Sequence, residues 1–369
     1  MEAKMERVYN FSQGPSMLPE DVIEKIKLDF PSYNGTGMSV MEICKNSKEY
    51  DEIIKEAERL LRDLLKIPHG YKILFMSGGA DVQYSAVPMN LLSDHKCADY
   101  IISGILSKNA SLEAKKYGDI AIAASSAGAT PAFSTVPETE RRHFRPDADY
   151  VYICFNNSVY GTKFHYIPDT GNIPLVADMS SFLLSEPIDV TKFGLIFADA
   201  ECGLGVSGLT IVIVRDEFFS GDKAIPSNMN YSSRGKNTKD ISTAPIWSIY
   251  IAKLVFEWIL SLGGLEELKR RNERKASFIY DYLDSQTYYT APVDKKCRSM
   301  MNVVFVTGDS ALDKKFAKEA EEFGIYNILG DSSLGGICAS IYSAMSPEGV
   351  EALVRFMKKF AQENPKIDA

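Results

Sequence analysis

Apolar residues recur at helical spacing through residues 18–30, LPEDVIEKIKLDF, with Pro19 at a position that a first helical turn accepts. The period returns in EYDEIIKEAERLLRDLL, from residue 49. YKILFMSGGADVQYSAVPMNLL then passes from a β run through two glycines into a helix, which predicts a strand-loop-helix unit. Further short β runs follow at ADYIIS, DIAIAA, DYVYICF, PLVADMSS, FGLIFADA and LTIVIVR, separated by helical or loop stretches such as NASLEAKKYG. Strands apolar on both faces and alternating with helices predict an α/β fold around a mainly parallel sheet covered on both sides. From about residue 248 the pattern changes to long helices, then MNVVFVTG, a helix, GGICASIYSA and a last helix, which reads as a smaller C-terminal α/β domain. The expected division is a large domain over residues 16–255, with residues 1–15 and 256–369 in the smaller one. The most irregular stretch, SSAGATPAFSTVPETERRHFRPDADY, is expected on the surface.

Composition narrows the partners. A 369-residue chain with 45% hydrophobic and 24% charged residues can bury a large core. A formal charge of −8, with no long run of one sign, offers no footprint for nucleic acid or an anionic membrane. The opening MEAKMERVYNFSQGP lacks an apolar core, and no later stretch holds a span's worth of apolar residues, so a cytoplasmic location is expected. Six cysteines without a CxxC pair fit reduced thiols better than a disulfide framework.

One stretch raises a chemical question. In ADAECGLGVSGLT, residues 198–210, a β run ends, turns through glycines and enters a second β run, so backbone can approach a ligand there. The answer comes through a resemblance carried by NFSQGPSMLPEDV, YNGTGMSVMEI, LFMSGGA, PMNLL, NNSVYGTKF, LVADMSSFLLSEPIDVTKFG, GLTIVIVRDE, RSMMNVVF and GGICASIYSAM. In order, and over essentially the whole chain, these strings resemble the phosphoserine aminotransferase family. The resemblance implies a fold-type I pyridoxal-phosphate enzyme architecture: a large domain with a mostly parallel seven-stranded sheet, a small C-terminal domain, and a homodimer with active sites at the subunit interface.

The same resemblance implies a changed site. The family reads A-Q-K-N-x-G-P-A-G where this chain has Glu201, Cys202 and Gly203, so Cys202 stands at the lysine that holds the cofactor as a Schiff base. A thiol forms no imine with an aldehyde and supplies no amine base. The phosphate loop survives as Ser77, Gly78, Gly79 and Ala80, a glycine-rich entry to a helix suited to an anion, but the next residue is Asp81. Its carboxylate suits a helix start and repels a phosphate. Leu106 takes the place of the tryptophan that stacks on the cofactor ring. Lys45 and Asn46 replace one substrate-binding His-Arg pair, Asp331 and Ser332 a second, and Cys338 the carboxylate-binding arginine. Ser242 and Thr243, in STAP, correspond to residues reaching in from the neighbouring subunit. Asp178 matches the carboxylate that pairs with the pyridine nitrogen, and Ser158 replaces a threonine near the phenolic oxygen. Asp178 reads equally as a strand-end carboxylate bonded to Ser180 or Ser181.

Three readings follow. In the first, the chain keeps the family scaffold but does not transaminate, serves a binding or regulatory role, and holds pyridoxal phosphate weakly and without a covalent link. In the second it remains a phosphoserine aminotransferase, acting on 3-phosphohydroxypyruvate and glutamate by another route. The third makes Cys44, Cys202 and Cys338 a metal or nucleophile site, against which stands the ordinary use of cysteine as a small buried filler. Cys97, Cys154 and Cys297 are assigned no role.

Overall fold

The computed structural model describes residues 7–93, 95–219, 224–236, 245–331 and 335–366. A short strand β1 (Tyr9–Asn10) and helices α1 (Glu20–Asp29) and α2 (Lys48–Leu65) lead into β2 (Tyr71–Ser77) and α3 (Ala80–Leu91). There follow β3 (Cys97–Ile102), α4 (Ile105–Ala114), β4 (Asp119–Ser125), β5 (Val151–Cys154), the small pair β6 (Asn156–Asn157) and β7 (Thr162–Lys163), then β8 (Leu175–Asp178), β9 (Leu195–Asp199) and β10 (Leu209–Arg215). The C-terminal part holds α5 (Tyr231–Lys236), α6 (Ile246–Ser261), α7 (Leu265–Asp284), β11 (Asn302–Phe305), α8 (Ser310–Ala320), β12 (Ile325–Tyr326), β13 (Ile337–Ser340) and α9 (Pro347–Glu363).

Seven strands form one sheet in the order β2-β10-β9-β8-β5-β3-β4. From β9 to β4 every pairing is parallel, whereas β10 runs antiparallel to both β9 and β2. The chain between β9 and β10 is too short for a crossover connection, so the pair closes as an antiparallel hairpin. Period-two alternation divides the sheet's side chains between two cores. Tyr100, Tyr152, Val176, Phe197 and Val212 face α3 and α4; Ile101, Ile153, Ala177, Ile196 and Ile211 face α2 and α6. That double covering explains the unbroken apolar runs.

At the C-terminal end, β11 pairs antiparallel with β13, and β1 pairs in parallel with β12. The first residues therefore lie beside the last third of the chain, and the expected division at residue 255 falls inside α6. The irregular stretch after β4 is only partly superficial, since Val136, Phe144 and Ala148 are buried. No single described helix is long and apolar enough to cross a membrane.

Candidate active site

Parallel strands of an α/β sheet converge on ligands at their carboxyl ends. Here β8 ends in Asp178 and β9 in Asp199, and the N-terminus of α3 lies beside them. Asp178, 2% exposed, accepts from the Ser180 amide at 3.0 Å and the Ser180 hydroxyl at 2.6 Å. Burial raises its pKa, and the two Ser180 bonds oppose the rise. The strand-end bonding expected of Asp178 is present, with Ser180 as its donor.

Asp199 is the carboxylate that sequence reasoning passed over. Its Oδ2 accepts from the Ala80 amide at 3.1 Å and its Oδ1 from the Glu201 amide at 3.2 Å. Burial pushes its pKa up to about 6; the two amides pull it down, and Glu201 and Asp178 push it up. Tyr84 on α3 is held protonated first by burial and then by Asp178, Cys154, Asp81 and Asp199. Among the described residues no lysine, arginine or histidine forms an ion pair with Asp178, Asp199 or Glu201. The position of Asp199 at a strand end, like that of Asp178, is the signal that marks it in the sequence.

The expected phosphate loop has the expected form, with β2 running through Gly78 and Gly79 into α3. Asp81 is exposed, and its Oδ1 accepts from the Val82 amide at 3.0 Å. The carboxylate closing on the Ala80 amide is that of Asp199, which crosses from the end of β9, whereas Asp81 reaches its own neighbour in the first turn.

Cys202 lies in the β9–β10 turn. Its thiol donates to the Gln13 carbonyl at 3.4 Å and hydrogen-bonds Tyr342, whose hydroxyl donates to the same carbonyl at 2.7 Å. Burial pushes the thiol pKa far above its ordinary value, with Asp199 adding to the rise, so the sulfur is neutral. Gly203 follows with φ +105°, a conformation that favours glycine. The Glu201 carboxylate turns away from this pocket, accepting from the Ser207 hydroxyl at 2.6 Å and pressing on Gly14, where a Cβ would lie 2.7 Å from Oε1. Its carbonyl accepts from the Ser16 amide at 2.9 Å. Glu201 therefore latches the N-terminal segment onto the turn.

Cys338, on β13, is buried and donates to the Ser158 carbonyl at 3.5 Å. Burial raises its thiol to about 11, opposed by bonds to Ser340 and the Gln13 side chain. Gln13 thus touches both substituted cysteines, a role the sequence reading missed although NFSQGP was in view. Cys44 is exposed on the turn before α2, and no group of three His, Cys, Asp or Glu among the described residues is disposed to hold a metal. The three-cysteine site is not assembled, because two of the thiols are spent on protein carbonyls and the third faces solvent. Lys45 is half-buried and Asn46 exposed on that same turn. Leu106 is half-buried in the first turn of α4. Asp331 is half-buried and raises the pKa of Tyr160, after burial, by its charge. Ser242, Thr243 and Ser332 lie outside the described residues.

The aminotransferase class-V model matches residues 8–356. The chain belongs to the class-V aminotransferase family. Within it, the chain is similar to phosphoserine aminotransferase of Bacillus cereus (strain ATCC 10987 / NRS 248), 45% identical over 361 residues, covering 98% of this chain and all of the relative. The corresponding protein of Listeria monocytogenes serovar 1/2a is 44% identical over 357 residues, 97% of each chain. Phosphoserine aminotransferase from Bacillus circulans subsp. alkalophilus superposes with a TM-score of 0.93 at 39% identity, over 97% of this chain and 99% of the other. The pyridoxal-phosphate-bound enzyme from Trichomonas vaginalis gives 0.88 at 35%, over 95% and 100%. The fold-type I architecture is therefore that of this class-V member, and pyridoxal phosphate is the cofactor expected of its family. At its α3 N-terminus the Ala80 and Val82 amides already serve the Asp199 and Asp81 carboxylates, which do not complement a phosphate dianion.

Proposed function

We propose that this class-V member keeps the phosphoserine aminotransferase scaffold but does not transfer amino groups by the family's ordinary route, and acts instead by binding or regulation. The observation that carries this reading is Cys202: by the family resemblance it stands at the lysine position, and its neutral thiol is engaged with Gln13 and Tyr342. No amine is present at residue 202 to form an imine. Weak, non-covalent binding of pyridoxal phosphate follows. Loss of the arginines that would grip a doubly anionic substrate, at Asn46 and Cys338, supports the same conclusion.

The comparisons favour the second reading more directly. Identity of 45% over nearly the full length supports phosphoserine aminotransferase activity itself, on 3-phosphohydroxypyruvate and glutamate, with an amine other than residue 202 holding the cofactor. The visible spectrum with added pyridoxal phosphate, followed by borohydride reduction and peptide mass mapping, separates the two. An unmodified chain with no amino transfer from glutamate supports the first reading; cofactor reduced onto a lysine, with turnover, establishes the second. Under either reading we infer a cytoplasmic homodimer, for which exposed Leu28, Phe30, Met38 and Met41 offer apolar contact surface.

A further inference from the structure

We propose that Asp199 is a built-in anion: its carboxylate fills the phosphate cradle at the start of α3 and thereby excludes phosphoryl ligands from this pocket. The proposal concerns the anion subsite alone and does not depend on what residue 202 can do.

Three of the cradle's amides are spoken for. The Ala80 amide donates to Asp199 Oδ2, the Val82 amide to Asp81 Oδ1 and the Gly79 carbonyl, and the Gly78 amide to the Gly208 carbonyl at 3.2 Å. The Thr210 hydroxyl donates to the Gly78 carbonyl at 2.8 Å, tying the loop to β10. Gly79 permits the approach, because a Cβ there would lie 2.9 Å from Asp199 Oδ2 and 3.1 Å from Asp81 Oδ1. These N–H groups are what a helix start offers to an anion, and this chain supplies two carboxylates of its own.

A phosphate dianion entering here must displace Asp199 from Ala80 while that carboxylate remains tethered through Oδ1 to Glu201. It then faces the Asp81 and Asp199 carboxylates, with Asp178 at the neighbouring strand end, and none of the three is paired with a basic side chain among the described residues. Each like-charge pair opposes binding, and more strongly as water is excluded from between the charges. The carboxylate thus sets specificity: ligands lacking a phosphoryl group are admitted in preference to those bearing one.

The test compares equilibrium binding of pyridoxal 5′-phosphate, pyridoxal and inorganic phosphate to the full chain, in the natural protein and in Asp199→Gly and Asp199→Asn. The natural protein should bind pyridoxal more tightly than pyridoxal 5′-phosphate, by about threefold or more. Asp199→Gly should tighten pyridoxal 5′-phosphate roughly tenfold or more, leave pyridoxal unchanged, and let inorganic phosphate compete. Asp199→Asn should gain part of this, and it decides alone if the glycine variant fails to melt cooperatively. A natural protein that prefers the phosphorylated form by more than about tenfold, or a folded asparagine variant with no gain, overturns the proposal. Reduction of cofactor onto a lysine would overturn the reading of Cys202 while leaving the phosphate preference readable.

Discussion

From inside the core, Lys275 Nζ donates to the Tyr342 carbonyl at 2.9 Å. It also serves the carbonyls of Ile341 at 3.2 Å, Ser343 at 3.4 Å and Met345 at 3.0 Å. One side chain of α7 thus holds the loop whose tyrosine contacts Cys202 and Gln13. Burial pulls its pKa down to about 7.

Lys275→Met should destabilise the protein by about 2–4 kcal/mol, because it leaves buried carbonyls without donors. The sign of its pH dependence follows from linkage. Unfolded lysine titrates near 10.4, so between about pH 7 and 10 the unfolded chain holds a proton that the folded one has released, and wild-type stability rises with pH. The deficit of Lys275→Met should therefore be larger at pH 9 than at pH 6.5, as urea melts of both proteins would measure. An equal deficit at both would show that Lys275 stays charged.

Asp199 should give a window of opposite slope at lower pH. Its folded pKa is raised to about 6, above the ~3.9 of an unfolded aspartate, so its contribution is full below about pH 4 and is lost as pH rises through 6. The stability difference between wild type and Asp199→Asn should fall by on the order of 2–3 kcal/mol from pH 4 to pH 7.5. Denaturant melts across that range provide the check, and a flat difference would place Asp199 in a solvated setting.

Thiol reactivity should follow exposure and charge. With iodoacetamide at pH 8 on the native protein, Cys44 should take the label first. Cys338, its thiol raised to about 11, presents thiolate in about one molecule per thousand at that pH. Cys202 should be slower still. Peptide mapping over a time course reads this order, and early labelling of Cys202 would mean that its bond to Gln13 opens readily.

Asn302 should matter more than its distance from the strand ends suggests. Its Oδ1 accepts from Asn156 Nδ2 at 2.8 Å, and its Nδ2 donates to Ser340 at 2.9 Å and Tyr342 Oη at 3.2 Å. Asn302→Ala breaks a fully buried polar network and should cost about 2–4 kcal/mol, read as a lower denaturant midpoint. Asn302→Asp, which keeps the shape but not the donor, should recover little of it.

The seven strands of the sheet were readable because each is a short apolar run bounded by turn residues, and all seven recur in the structure. The direction of β10 lay only in the shortness of the turn before it, and periodicity does not report strand direction. At the site, Cys202, Asp178 and the glycine loop were visible through the family's strings, which mark positions whose role is local. Asp199 and Gln13 were not, since their partners, Ala80 and the two cysteines, are brought to them by folding over large separations. Glu201 was placed at its turn without a direction, because a string does not say which way a side chain leaves the backbone.

Gln13 and Tyr342, bonded across 329 positions of sequence, join nearly the first described residues to nearly the last strand. Contacts so distant along the chain form late, after the loop entropy between them has been overcome. During synthesis the sheet between residues 71 and 215 can assemble while Gln13 still waits for a partner that has not left the ribosome. A chain ended before residue 342 would therefore lack the tyrosine that covers the cysteine turn.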